Sequence, residues 1–289
     1  MNTGEHVMAF KELLLHLSSY PEATPMSGLE QALELAEVLG ARISALTFEV
    51  DFYIPTNTLA NAVAGIPAMF AEDRAKSRDN VRDLINAFEV EATKRALVHR
   101  HVIERGLIAQ IPIIVTEYSR LHDLTLFPWD ELPGMQRNIA ESVIFGSGRP
   151  VLVFPATRRR TSPVRLDVVG VAWDFSRPAA RAVADAMSIL QRAKKVRVVT
   201  VVNERTIETR RSGPELARHL AAHGVEVILD EEDAGGRSIG NVLEEYSAAY
   251  NLDVLVMGAF GHSRVRDFIL GGATKRMLAD PPLPVFLSH

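Results

Sequence analysis

Leu166-Asp-Val-Val-Gly-Val-Ala-Trp-Asp-Phe-Ser176 is a short, nearly unbroken apolar run that ends in a polar turn. A strand buried on both faces reads this way, because neither side of its pleat meets water. A helical pattern follows from about Ala179 to Arg192, and then a β-rich run from Val196 to Val202. The same order stands earlier: Glu12 to Leu17, the turn Ser18-Ser19-Tyr20-Pro21, a helix from about Ser27 to Leu39, and a β-rich run from Arg42 to Phe48. Further along, Asp123-Leu-Thr-Leu-Phe is answered by Asp253-Val-Leu-Val-Met, and Pro150-Val-Leu-Val-Phe by Pro284-Val-Phe-Leu-Ser. Chance does not keep so many landmarks in one order, so the chain reads as two copies of one unit. The first copy is the longer, with its extra residues mostly between Glu49 and about Lys76. The tract Arg158-Arg-Arg-Thr-Ser-Pro163 is polar, and its proline disfavours helix at the preceding residue. The expected organisation is therefore a first unit over 1–158, a linker over 159–163 and a second unit over 164–289.

Within each copy, apolar β-branched runs alternate with helical patterns, which predicts an α/β fold. The form expected is two tandem, doubly wound, Rossmann-like parallel-sheet domains. The composition agrees: of 289 residues, 47% are hydrophobic and 24% charged, enough apolar material for a large core. The net charge of −4 supplies no general electrostatic grip on nucleic acid or on an anionic membrane. There is no cysteine, which excludes disulfides, iron–sulfur clusters and thiol nucleophiles. The N-terminal residues lack the basic region of a signal peptide, and no apolar stretch approaches a membrane span. A cytoplasmic location is the expectation.

Ligands of doubly wound sheets sit beyond the carboxyl ends of the strands at the point where strand order reverses. In the second copy the strand Val254 to Met257 runs into Gly258-Ala-Phe-Gly261-His262, and Gly271-Gly272-Ala273-Thr274 precedes a helix over about Ala273 to Ala279. Glycines let backbone approach a ligand with no Cβ in the way. A helix N-terminus adds unpaired N–H groups and a positive dipole end, so phosphate is the ligand best suited to this loop. A glycine pair alone reads equally well as a tight turn and a helix start. There is no Gly-x₄-Gly-Lys-[Ser/Thr] and no dinucleotide Gly-x-Gly step, which sets aside Walker-type NTPases and dinucleotide binding.

Taken whole, the order strand, Gly-x₂-Gly, nine residues, glycine, helix and Pro-led last strand resembles the nucleotide signature of the universal stress protein family. The resemblance spans nearly the whole chain, since these proteins occur as single or tandem α/β domains, of the adenine-nucleotide-hydrolase-like kind. It implies ATP, or AMP or ADP, as the ligand, with Mg²⁺ beside the phosphates and at most slow, incidental hydrolysis. By the same resemblance Asp174 contacts the adenosine part and Val201 falls at the adenine pocket. Gly258, Gly261 and Gly271 then cradle phosphate, with His262, Gly272, Ala273 and Thr274 beside them. The family usually has Ser or Thr after its third glycine; here that residue is Gly272, and Thr274 stands two positions on. Trp173, bulkier than is usual at its position, either stacks near the adenine or fills the pocket.

The first copy departs from this pattern. Pro128 stands where Gly258 stands and has no N–H to donate. Ser18 replaces the strand-end aspartate, and Asp130 and Glu131 would repel phosphate. The first unit is therefore expected not to bind ATP in the family manner. Its extra segment, Phe52 to Phe70, reads as core packing first and as an apolar lid or contact surface second. The apolar Pro-led strands Val151 to Phe154 and Val285 to Leu287 invite pairing as sheet edges. An intramolecular pseudo-dimer is the default expectation, and a further homodimer stays open.

Other groups carry less. His99-Arg-His101 has the two-residue spacing of some metal sites, but no third ligand is evident and a solvated strand face is favoured. Glu231-Glu-Asp233 reads as an acidic loop, with Mg²⁺ binding as the alternative. His262-Ser263 lacks the setting of a nucleophile. Arg264, Arg266, Lys275 and Arg276 add positive charge near the glycine loop. No catalytic residue and no protein metal ligand is assigned. The competing function is a structural or interaction module in which both sites are degenerate.

Overall fold

The computed structural model describes residues 10–52, 66–129, 134–157, 163–203, 212–259 and 272–289. Gly261, His262, Gly271, Asp130, Glu131, Arg264, Arg266, most of the expected linker and residues 53–65 of the extra segment lie outside the described residues. In the first half the described elements are β1 (Glu12–His16), α1 (Met26–Leu39), β2 (Arg42–Asp51), α2 (Ile66–Lys94), β3 (His99–Leu107), α3 (Ile111–Arg120), β4 (Leu124–Trp129), α4 (Met135–Gly146) and β5 (Val151–Pro155). The second half has β6 (Val168–Ala172), α5 (Arg177–Asp185), α6 (Met187–Leu190), β7 (Lys195–Val202), α7 (Ser212–Ala222) and β8 (Val227–Asp233). It continues with α8 (Ile239–Ala249), β9 (Val254–Gly258), α9 (Gly272–Ala279) and β10 (Val285–Ser288). The single helix expected over 179–192 is two, α5 and α6, meeting at Ala186.

All ten strands form one sheet in the order β3-β2-β1-β4-β5-β10-β9-β6-β7-β8. Pairings inside each half are parallel. The halves meet through β5 and β10, which run antiparallel with Val153 opposite Val285, Leu152 opposite Phe286 and Val151 opposite Leu287. Each Pro-led strand thus covers the other's open edge, which would otherwise template aggregation. Strand order reverses between β1 and β4 in the first half and between β6 and β9 in the second, so these are the two crevices where the fold can hold a ligand.

Side-chain alternation divides the core into two layers that both run across the halves. Leu13, Leu15, Val169, Val171, Val256 and Phe286 face α1, α2, α5 and α7. Leu14, Phe127, Leu255, Met257 and Leu287 face α3, α4, α8 and α9. The rings of Phe10 and Phe286 meet across the seam between halves at 6.2 Å.

The recurring aspartates have a mechanical reason. Asp123 Oδ2 accepts the backbone N–H groups of Lys11 and Glu12 at 2.8 and 3.0 Å, and Asp253 Oδ2 accepts those of Asp167 and Val168, both at 2.9 Å. Each carboxylate fastens the first strand of its half to the fourth. Asp253→Ala strands two backbone donors and is expected to cost about 2 kcal/mol, read from urea unfolding, with Asp253→Asn costing less because one acceptor oxygen remains.

Candidate functional site

The crevice between β6 and β9 is bounded by the loop after Ala172 and the end of β9. Register places Ala172 beside Met257, so the Trp173–Asp174 turn and the Gly258–Ala259 turn leave the sheet side by side. Asp174 is exposed, and its Oδ1 accepts the backbone N–H of Ser176 at 3.0 Å. Ser176 in turn caps α5, its hydroxyl oxygen accepting the N–H of Ala179 at 3.2 Å. Phe175 between them has φ +59°, a left-handed conformation that non-glycine residues seldom adopt and that occurs chiefly at turns and functional sites. Its exposed ring stands edge-on to Trp173 at 6.0 Å. Trp173 is buried in the core layer against the α5 side of the sheet, so it fills that layer. Among the described residues its indole N–H has no acceptor.

Val201 lies half-buried near the end of β7, and Asn203 just beyond it also has a left-handed φ of +64°. The Asn203 amide donates to Asp233 Oδ2 at 2.8 Å. Asp233 also accepts the Gly235 N–H at 2.8 Å, and these two bonds, the backbone one first, hold its carboxyl below the usual range. The acidic run at the end of β8 therefore has its last carboxylate committed to shaping the turn. On α9, Gly272 is exposed, Ala273 half-buried and Thr274 buried at 2% exposure. The Thr274 hydroxyl is thus drawn into packed protein. Arg276 pairs with Glu244 of α8 at 2.6 Å, which spends its charge on the helix–helix contact. Gly240 of α8 makes that contact close: a Cβ there would lie 2.6 Å from the Cβ of Arg276.

Gly258 has a role that its place in the motif conceals. A Cβ at this position would lie 2.4 Å from the Ala179 nitrogen and 2.5 Å from the Pro178 carbonyl carbon. The N-terminal turn of α5 therefore rests directly on the backbone of β9. The first half makes the same close approach with the residues exchanged. Pro128 occupies the strand position, and Gly28 of α1 faces it, with a Cβ on Gly28 falling 2.9 Å from the Pro128 Cβ. One side of each helix–strand contact must be glycine, and each half has chosen the other side. Neither Pro178 nor Gly28 stands out in the sequence, because the contact joins residues far apart in the chain.

The first-half crevice is closed by its own chain. The Ser18 hydroxyl donates to the carbonyls of Tyr20 and Glu22 at 3.1 and 3.2 Å, and its N–H donates to Thr24 Oγ1 at 2.8 Å. Helix α2, 29 residues long against 11 for α7, seats on the ends of β1 and β2. Ser77 of α2 accepts the N–H of Val50 at 3.0 Å and shares a hydrogen bond with Ser19 at 3.1 Å, and Asn80 donates to the Ser19 carbonyl at 2.8 Å. Phe52 stacks on Phe70 and meets Tyr20 edge-on, at 5.4 and 5.1 Å. These two ends of the extra segment pack together over the crevice. Beneath them a void of only about 10 Å³ is lined by His16, Ser18, Ser19 and Phe48.

His99 and His101 lie on β3, where His101 Nδ1 stands 2.8 Å from Glu89 and His99 Nδ1 stands 2.9 Å from the Leu97 carbonyl. Among the described residues no group of three or more histidines and carboxylates is placed to hold a metal ion. No helix among them is long and apolar enough to cross a membrane.

Strand order and the two crevices define the class: an open, doubly wound α/β protein, whose ligand edge by the general rule is at the strand C-termini. The universal stress protein family model matches residues 166–289, and this half of the chain belongs to the universal stress protein family. The fold of the whole chain is similar to that of a universal stress protein from Archaeoglobus fulgidus DSM 4304, with a TM-score of 0.66 at 17% identity over 95% of each chain. It is also similar to a protein of Pseudomonas aeruginosa UCBPP-PA14 taken for a universal stress protein, with a TM-score of 0.57 at 15% identity, covering 97% of this chain and 93% of that one. No curated protein sequence matches the chain.

Proposed function

We propose that the chain is a nucleotide-responsive regulatory protein of the universal stress type, in which the second half holds ATP or AMP and the first half is a closed scaffold. The observation that carries this reading is the asymmetry of the two crevices. In the first half Ser19, Ser77, Asn80 and the Tyr20–Phe52–Phe70 stack fill the strand ends. In the second half the equivalent edge presents an exposed Asp174 on a left-handed turn and an exposed Gly272 at the start of α9. A helix start suits phosphates and a carboxylate suits a hydroxyl-bearing sugar, the two parts of a nucleotide. Mg²⁺ would be met there by the phosphates themselves, since Asp233 is already bound to Asn203 and Gly235. Any hydrolysis is slow and incidental, and phosphate release abolished by Asp174→Ala would overturn that part.

Titration calorimetry with ATP and Mg²⁺ tests the site. Hydrogen bonds to charged groups contribute about 1.5–3 kcal/mol each, and micromolar binding needs about 8 kcal/mol. Three or four backbone donors with base and ribose contacts reach that range. Binding is expected in the native chain, lost in Gly261→Val and unchanged in Ser18→Asp; the absence of heat at roughly tens of micromolar protein would sink the assignment. One observation favours the second reading, an interaction module with no nucleotide: packing alone accounts for Gly258 and for the burial of Thr274. A melting transition unmoved by ATP, in protein that purifies without nucleotide, would decide for it.

A further inference from the structure

The sheet ends in two strands whose outer sides pair with nothing among the described residues, β3 at one edge and β8 at the other. Their sequences are opposed in charge. β3 reads His-Arg-His-Val-Ile-Glu-Arg-Gly-Leu, and its acidic member, Glu104, takes the Tyr118 hydroxyl at 2.6 Å. β8 reads Val-Ile-Leu-Asp-Glu-Glu-Asp. Apolar side chains are exposed on both: Ile103 at 44%, Ile228 at 40% and Leu229 at 43%. Charges on an edge strand ordinarily keep copies of a protein apart. Here they oppose the pairing of β8 with β8. Two β8 edges would set Glu231 and Glu232 against their own kind, Asp230 being held by Arg197 and Asp233 by Asn203. The mixed pairing is attractive.

Direction and facing also agree. The strands of the two halves run oppositely through β5 and β10, so extending the sheet by a second copy brings its β3 antiparallel to β8 of the first. On one face of the sheet lie His99, His101, Ile103 and Arg105, with His101 beside Glu89 of α2; on the same face lie Leu229, Glu231 and Asp233, with Leu229 beside Gly213 of α7. Setting Glu231 opposite His101 puts Asp233 opposite His99 and Leu229 opposite Ile103, and on the other face Glu232 opposite Arg100. We propose that the chain assembles head to tail through its sheet edges, the acidic β8 of one copy pairing with the basic β3 of the next. Such a contact is heterologous, so it adds copies without closing on a two-fold axis.

Sedimentation velocity of the full chain tests this at about 20 mM and about 500 mM salt, on either side of the range where surface charges are screened. Average mass is expected to climb steadily with concentration at low salt and to fall at high salt. Glu231→Lys with Glu232→Lys spoils the β8 edge, and His101→Glu with Ile103→Glu spoils the β3 edge. Each variant alone should associate at least tenfold more weakly, while an equimolar mixture recovers association because an intact β3 meets an intact β8. Thermal melts verify that the variants fold; Leu229→Lys and Ile103→Glu alone replace any that melt early. A native chain that stays monomeric at low salt, a dimer that does not grow, a single-edge variant that assembles normally, or a mixture that stays apart would each overturn the proposal.

Discussion

Gly258→Ala is expected to lower the stability of the ligand-free chain by about 3 kcal/mol, at the upper end of what overpacking costs. The added methyl would meet the main chain of α5, at the Ala179 nitrogen and the Pro178 carbonyl carbon, and not a side chain that can turn aside. The whole N-terminal turn of α5 would have to lift, and with it the Ser176 cap and the Asp174 turn that the cap anchors. Gly28→Ala should cost less, about 1 kcal/mol, because its new methyl meets the Cβ atoms of Ala156 and Pro128 at 2.9 Å. Pro178→Gly should rescue Gly258→Ala only slightly, since most of the clash is with backbone. Urea unfolding of the three variants reads these differences. A cost below about 1 kcal/mol for Gly258→Ala would show that the helix yields easily, and would leave a bound ligand as the reason for the glycine.

That exchange marks the limit of what could be read from the chain alone. The doubly wound architecture was legible because buried parallel strands are continuous apolar runs, and because Asp123 and Asp253 recur at equivalent places for the same clamping reason. The seam was legible too: two apolar Pro-led strands are edges that water would punish, and β5 and β10 meet there. Asp174 entered through the family resemblance, and the fold places it just past β6 with its carboxylate accepting the Ser176 N–H. The compensation between Gly258–Pro178 and Pro128–Gly28 could not, since it is a contact across the fold and neither member has a local signature. Pro128 looked like the loss of a phosphate donor; in the fold it is also the counterpart of a glycine on the facing helix. The seating of α2 was hidden for the same reason. Ser77 and Asn80 are unremarkable in a long polar helix, and only their distance from Ser19 and Val50 shows that they close the crevice. Thr274, carried over by the resemblance, is buried where α9 rests on α8 through Gly240, a packing the local sequence does not announce.

Closing the first crevice leaves an imidazole inside it, and this makes the scaffold half sensitive to acid. His16 ends β1, where the second half has Ala172, and it is buried between the rings of Phe48 and Phe127 at 6.2 and 5.4 Å. Among the described residues no carboxylate lines the void beside it, and burial pushes its pKa down from 6.5 to about 4. In the unfolded chain the same group takes a proton near pH 6.5. Between those two values the unfolded state binds a proton that the folded state refuses, so stability present above pH 6.5 drains away as the pH falls towards 4. One pKa unit is worth about 1.4 kcal/mol, so His16 should remove about 2 kcal/mol between pH 7.5 and pH 5. Carboxylates elsewhere titrate in the lower part of this range, so the measurement is a difference: urea unfolding of the native chain and of His16→Leu at both pH values. The leucine variant should lose about 2 kcal/mol less on acidification. Equal losses would mean that the imidazole finds solvent or a partner when protonated, and that the crevice opens more readily than the Ser19, Ser77 and Asn80 contacts imply.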